Sequence, residues 1–248
     1  MSILLLDVGN SRLKWAFAED GLLTSIGGAS RDGVPPTQAA KLWFSAPAPT
    51  RIVASNVAGS DYAAQLSEWC EKQWGVFVEY VQVDAELADI ELAYSKAQNF
   101  GVDRWLALVA AQRISPGNVC VIDCGTAVTI DLLTAQGKHQ GGVILPGLQL
   151  MQNSLLKNTD GIKRAKASSF AGNRLLGNDT WDGIILGSLS AVAGAIELMV
   201  SRIKSDMAMP ISCVVTGGDA AEVLKMLGKE YQYEPNLVLL GMKALVAE

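Results

Sequence analysis

The chain holds a single histidine, His139, and only four cysteines, Cys70, Cys120, Cys124 and Cys213, among its 248 residues. No two of the cysteines form a Cys-x-x-Cys pair and none stands at a familiar ligand spacing from His139, so a His/Cys metal cage is not expected. Reduced thiols and a cytoplasmic address are. Charge is also sparse, with Asp, Glu, Lys and Arg making up 18% of residues and a net charge of −5. Binding a phosphate backbone needs clustered cations that this sequence never gathers, so no nucleic-acid partner is expected. Gly-x-x-x-x-Gly-Lys-[Ser/Thr] and Gly-x-Gly-x-x-Gly are both missing, which leaves P-loop and Rossmann readings without support. Long uncharged apolar runs are lacking too. The opening Ser2-Ile3-Leu4-Leu5-Leu6 stops at Asp7 with no basic leader, and so reads as a strand rather than a signal peptide. Gly183 to Val200 contains Glu197 and several Gly and Ser residues. It reads as a helix buried in the core or at a subunit contact, and no membrane partner is expected.

What is present is apolar material: half of the residues are hydrophobic, enough for a substantial core in one large domain or two small ones. Short apolar runs alternate with turn signals. Ile3–Leu6 and Leu13–Ala18 read as a hairpin, followed by a strand near Leu22–Gly27, a short helix over Thr37–Phe44, a strand at Arg51–Ala54, an amphipathic helix over Asp61–Trp74 and a strand at Val76–Val81. From Val119 the order recurs. Strands at Val119–Ile122, Val128–Leu133 and Gly142–Leu145 precede two helical stretches, a strand at Cys213–Val215 and a helix over Ala220–Leu227. Leu237–Leu240 then closes the series, and the last helix, after Gly241, is expected to pack on its own half. This predicts an internal duplication: two α/β halves, each a mixed sheet with helices, and a cleft between them. The boundary is expected at Ser115-Pro116-Gly117-Asn118, giving halves 1–115 and 116–248, the second with a helical insertion at about 146–210.

The duplicated feature is a strand turn, Asp7-Val8-Gly9-Asn10-Ser11 in the first half and Asp123-Cys124-Gly125-Thr126-Ala127 in the second. Glycine lets backbone N–H groups approach phosphate oxygens with no Cβ in the way, Asn, Ser and Thr add donors, and the Asp can hold a cation or its water shell. One Asp-x-Gly is an ordinary turn. Two in matching contexts point to a nucleotide. The pair resembles the phosphate hairpins of the actin-like (ribonuclease H-like) phosphotransferase superfold, and Thr216-Gly217-Gly218-Asp219 resembles its adenosine-contacting turn. That last segment can equally be a plain strand-to-helix turn.

Gly101-Val102-Asp103-Arg104 opens a strongly apolar helix. Asp103 there is either a helix cap with Arg104 as a solvated neighbour, or a base that orients a substrate hydroxyl while Arg104 grips an anionic group. These motifs together resemble those of type III pantothenate kinases, which phosphorylate pantothenate in the first step of coenzyme A synthesis. The resemblance runs nearly end to end and includes the loop Gly141-Gly142-Val143-Ile144-Leu145-Pro146-Gly147. It implies ATP contacts at Asp7, Val8, Gly9, Asn10, Ser11, Arg12, Leu13, Lys14 and Thr126. It further implies pantothenate contacts at Tyr94, Gly101, Val102, Asp103, Arg104 and Thr180, with Asp103 as proton acceptor. Magnesium would accompany ATP, Asp123 would hold a monovalent cation, potassium or ammonium, and the protein would be a homodimer with pantothenate near the subunit contact. Leu92, Ala97 and Gly183 depart from the family pattern around Tyr94 and Thr180, and Thr180 can alternatively cap the helix that begins there. Cys124 departs too, and reads as a buried strand residue. Two other readings share the scaffold: a sugar or amino-sugar kinase, and a non-catalytic nucleotide-binding regulator.

Overall fold

The computed structural model describes residues 2–31, 48–84, 87–159, 175–207 and 209–246, and the helix expected over Thr37–Phe44 lies outside them. The chain forms two compact units. The first comprises Met1–Pro116, Leu133–Gly141 and Asn236–Glu248, and the second comprises Gly117–Leu132 and Gly142–Pro235.

Five strands build the sheet of the first unit: β1 (Ile3–Val8), β2 (Arg12–Glu19), β3 (Leu22–Ser30), β4 (Arg51–Asn56) and β5 (Val78–Tyr80), in the order β3-β2-β1-β4-β5. The first three form an antiparallel meander, and β4 and β5 add in parallel. Alternation along the strands sends Leu4, Leu6 and Val8 of β1 toward Tyr62, Leu66 and Cys70, which recur at helical spacing along α1 (Ser60–Trp74). The alternate set, Leu5, Ala16 and Val53, is equally buried. Among the described residues, α2 (Val102–Ile114) and α6 (Leu237–Val246) also pack on these strands. Each such leucine removed from water contributes on the order of 2 kcal/mol. Asp7 continues the face of Ile3 and Leu5, the side of the sheet where α2 and α6 pack.

The second unit repeats the plan with β6 (Asn118–Cys124), β7 (Ala127–Leu133), β8 (His139–Pro146), β9 (Ile211–Thr216) and β10 (Tyr231–Tyr233). Their order, β10-β9-β6-β7-β8, is that of the first sheet once each strand is matched to its counterpart. Here too the first strand of the meander pairs in parallel with the fourth strand, and the fourth with the fifth. The duplicated α/β fold expected from the sequence is therefore the observed one. The tip of the β7–β8 hairpin, Leu133–Gly141, is grouped with the first unit, so the chain passes between units more than once. Two longer helices, α3 (Leu148–Asn158) and α4 (Thr180–Met207), and the short α5 (Ala220–Val223) complete the second unit. Among the described residues α4 is the one helix long and apolar enough to cross a membrane. Its Leu189, Val192, Ile196 and Val200 lie in the core with Cys120, Ile122 and Cys124 of β6.

The C-terminal segment corrects two expectations. Leu237–Leu240 is not a strand: it begins α6, and the fifth strand is the shorter, more polar Tyr231–Tyr233. A four-residue apolar run carries no period that separates strand from helix. Nor does α6 pack on the second half. It crosses α2 in the first unit so closely that a Cβ on Gly241 would come within 2.1 Å of Leu106 O. Both helices are apolar nearly all round, as helices buried between neighbours are.

Candidate active site

In the first unit the turn between β1 and β2 is Gly9-Asn10-Ser11, closed by a hydrogen bond from Gly9 N to Arg12 O at 2.9 Å. Val8 and Leu13 are fully buried in the core, so any ligand contact there falls to their main chain. Asn10 and Arg12 are exposed, and Asp7, Gly9, Ser11 and Lys14 are half-buried. Asp7 stands in register with Lys14 on β2 and with Ser55 on β4.

The second turn, Gly125-Thr126, is closed by Gly125 N to Ala127 O at 3.1 Å. Asp123 takes the register position that Asp7 has in β1, with Thr216 of β9 where Ser55 stands. A hydroxyl residue thus lies beside each carboxylate. The segment read as a nucleoside turn packs directly on this one. Gly217 has φ +102, and a Cβ on it would meet Cys124 C at 2.4 Å and Asp123 Oδ1 at 2.5 Å. Asp219 N donates to Cys124 O at 2.9 Å. From the other side Gly147 N donates to Thr126 O at 3.0 Å, and a Cβ on Gly147 would lie 2.3 Å from Gly125 O. Glycine at both places is a condition of the close approach. Cys124 itself is a packing residue: burial, then the negative charges of Asp123 and Asp219, push its thiol up to about 12.

Tyr94, Gly101, Asp103 and Arg104 come together in the first unit. Gly101 is the N-cap of α2 and Asp103 lies in its first turn. Asp103 Oδ1 accepts from Arg104 N at 2.8 Å, taking one of the amides that every helix start leaves without an intrahelical partner. The positive end of the helix dipole attracts the carboxylate there. Arg104 is buried, not a solvated neighbour. Its guanidinium lies 4.5 Å over the Phe100 ring and donates from Nη1 to Tyr94 Oη at 3.2 Å. Phe100 in turn packs edge-on to Tyr94 at 5.0 Å and against His139 at 4.9 Å. His139 N donates to Glu91 O at 2.8 Å, which ties the β7–β8 tip to the segment that leads into Tyr94.

Thr180 belongs to the second unit, as the first residue of α4. It does not cap the helix: Asp179 Oδ1 accepts from Asp182 N at 2.8 Å and fills that role. Thr180 is exposed and lines a groove of about 510 Å³ between α3 and α4, with Leu150, Met151, Leu155, Gly183 and Gly187.

Three parts of this site escaped the sequence reading. Gly147 lay in a recognised loop, but nothing in its spacing showed that it closes on Thr126. The aromatic setting of Arg104 draws His139 from far along the chain. Arg31, one basic residue at the end of β3, carried no signal at all, yet it bonds the first turn.

Among the described residues no three His, Cys, Asp or Glu side chains gather into a metal cage. The single carboxylate of Asp7, near the end of β1, fits magnesium, which arrives with nucleotide phosphates and takes one or two carboxylates.

A family model described as Type III pantothenate kinase matches residues 3–202. Two curated relatives carry the same description. The one from Nitrosococcus oceani is 36% identical over 97% of this chain and 92% of its own. The one from Azoarcus sp. is 36% identical over 99% and 90%. Among solved structures, a Campylobacter jejuni protein described as a Baf family transcriptional activator aligns at TM-score 0.59 and 21% identity over 98% of this chain and 97% of that one. The activator of the 2-hydroxyisocaproyl-CoA dehydratase from Clostridium difficile, with bound ADPNP, aligns at TM-score 0.55 and 15% identity over 100% and 94%. Likenesses that distant speak for the fold alone.

Proposed function

This chain belongs to the type III pantothenate kinase family, and from that premise we propose how its residues divide the chemistry. The enzyme uses ATP to phosphorylate pantothenate to 4'-phosphopantothenate in coenzyme A biosynthesis.

Phosphoryl transfer passes through a loose transition state, so the protein chiefly positions the nucleophile and neutralises phosphate charge. Asp103 accepts the hydrogen bond of the primary hydroxyl of pantothenate and takes its proton as that oxygen bonds the γ-phosphorus, the bond from the γ-phosphorus to the bridging oxygen breaks and ADP leaves with that oxygen. Arg104, stiffened by Phe100 and Tyr94, binds the substrate's carboxylate. Tyr94, Gly101, Val102 and Thr180 complete the substrate contacts. The amides of the turn after Asp7 and the side chains of Asn10, Ser11, Arg12 and Lys14 serve ATP, as does Thr126. Magnesium arriving with ATP would supply positive charge against the phosphates, and Asp7 is the carboxylate that would hold it or its water shell. Asp123 would hold potassium or ammonium, whose charge would take the part that a lysine has in P-loop enzymes. The anchoring of Asp103 at the start of α2, beside an arginine whose direction is fixed, carries this reading.

The exposed face of α4 supports a homodimer. Gly183, Gly187, Ala191 and Gly194 are exposed there, with Leu198 among them and Leu150 and Leu155 alongside on α3. A second copy covering this face would bury the apolar groove beside Thr180. The four cysteines are buried thiols, which suits a cytoplasmic enzyme.

A coupled ADP-release assay with pantothenate, with and without potassium, tests the assignment. Turnover that requires pantothenate and rises with potassium is expected. Turnover with hexoses alone would favour a sugar kinase, and none with any cation would favour a nucleotide-binding regulator.

A further inference from the structure

The two phosphate turns differ in length. Three residues, Gly9-Asn10-Ser11, link β1 to β2, whereas two, Gly125-Thr126, link β6 to β7. The residue that follows the third strand of each meander, Arg31 after β3 and Gly147 after β8, closes on the turn in the same way. Arg31 N donates to Ser11 O at 2.9 Å, as Gly147 N donates to Thr126 O at 3.0 Å. In each case the main chain reaches only the last carbonyl of the turn. The longer first turn keeps two further carbonyls, and the Arg31 side chain reaches both: Nη1 donates to Gly9 O and, at 3.0 Å, to Asn10 O. The guanidinium is held for this by the ring of Tyr62, 4.0 Å beneath it, a side chain rooted in the α1 core. Three consecutive carbonyls of the turn therefore point at one residue.

In a trans peptide the carbonyl and the amide hydrogen point in opposite directions. Fixing the carbonyls of Gly9 and Asn10 turns the amides of Asn10 and Ser11 to the other side, as a concave anion-binding nest requires. A peptide flip in an unanchored turn would instead aim a carbonyl oxygen at the phosphate. We propose that Arg31 is a positioning residue for the kinase reaction: it holds the carbonyl side of the longer phosphate turn so that the turn's amides are aimed at ATP in advance. Its planar fork and its stacking on Tyr62 serve this better than a lysine ammonium, which is a compact and strongly hydrated charge. The inference rests on the reading of Asp7 to Lys14 as ATP contacts.

The test titrates the intact protein with a non-hydrolysable ATP analogue and with adenosine, alongside steady-state kinetics, for wild type, Arg31→Ala and Arg31→Lys. Arg31→Ala should weaken analogue binding and raise the KM for ATP by about tenfold or more, the scale of a lost charged hydrogen bond. The KM for pantothenate and the affinity for adenosine, which has no phosphates, should stay at wild-type values. Arg31→Lys should fall between the two and carries the test if Arg31→Ala does not fold. Wild-type affinity in both variants would overturn the inference, as would equal losses for the analogue and adenosine, which mark a merely structural role. A wild-type chain that binds no analogue would overturn the nucleotide reading itself, and the inference with it.

Discussion

Gly101 and Asp103 are fitted to each other at the start of α2: a Cβ on Gly101 would come within 2.6 Å of Asp103 Oδ1. The backbone angles of Gly101 are ordinary, φ −61 and ψ 131, so glycine is needed there for space and not for conformation. Gly101→Ala should therefore displace the carboxylate and lower kcat while leaving ATP affinity intact. Asp103→Asn keeps the shape and removes the base. It should cut kcat by about 10²- to 10⁴-fold with little change in the ATP Kd. Steady-state kinetics with parallel nucleotide titration checks both, and near-normal turnover in Asp103→Asn would remove the assignment of Asp103 as base.

Gly217 joins the segment read as a nucleoside turn to the proposed phosphate turn inside the second unit. Its φ of +102 strains any L side chain, and the added methyl would meet the Cys124 backbone and Asp123 Oδ1. Gly217→Ala should raise the KM for ATP and cost more than about 1 kcal/mol of stability. Kinetics and urea unfolding measure the two effects. Unchanged values in both would mean that the two turns are not coupled.

The repeated strand turns made the duplicated fold legible, because Asp-x-Gly between apolar runs is local chemistry. The grouping of Asp103 with Arg104 was legible for the same reason. What escaped was long-range. Leu237–Leu240 is too short an apolar run to show a period, and it begins a helix that packs on α2. The direction of Arg104 depends on Phe100 and on His139, which arrives from another hairpin. Arg31 matters because the first turn is one residue longer than the second, a difference that the aligned motifs do not reveal.

Cys124 lies inside a proposed phosphate motif but faces the core with Ile122 and Val128. Because its thiol is pushed up to about 12 by burial, it is no nucleophile at neutral pH. Cys124→Ala should leave the KM for ATP within twofold of wild type, since a thiol turned from the ligand adds no contact, and cost about 1–2 kcal/mol for the small cavity. Native protein at pH 7.5, far below the value to which burial raises this thiol, should resist alkylation at Cys124. Mass spectrometry after iodoacetamide treatment reads this directly, and rapid native labelling of Cys124 would contradict its burial.

Arg51 and Glu79 lie on the neighbouring parallel strands β4 and β5 and share two hydrogen bonds, of 2.8 and 2.7 Å. The hydrogen bond from Arg51, aided by its charge, holds the Glu79 carboxyl below its ordinary value. A lowered folded-state pKa means that the unfolded chain binds the proton more tightly. The stabilisation is therefore fully present above the unfolded value, about 4.3, and is lost as pH falls through the folded one. Both side chains are well exposed, so solvent screening limits the pair to about 0.2–1 kcal/mol. Glu79→Gln should accordingly lower Tm slightly at pH 7, less so in high salt, and the two melting curves should converge as pH drops below about 4. A gap between them that widens on acidification would show that Glu79 acts through something other than its charge.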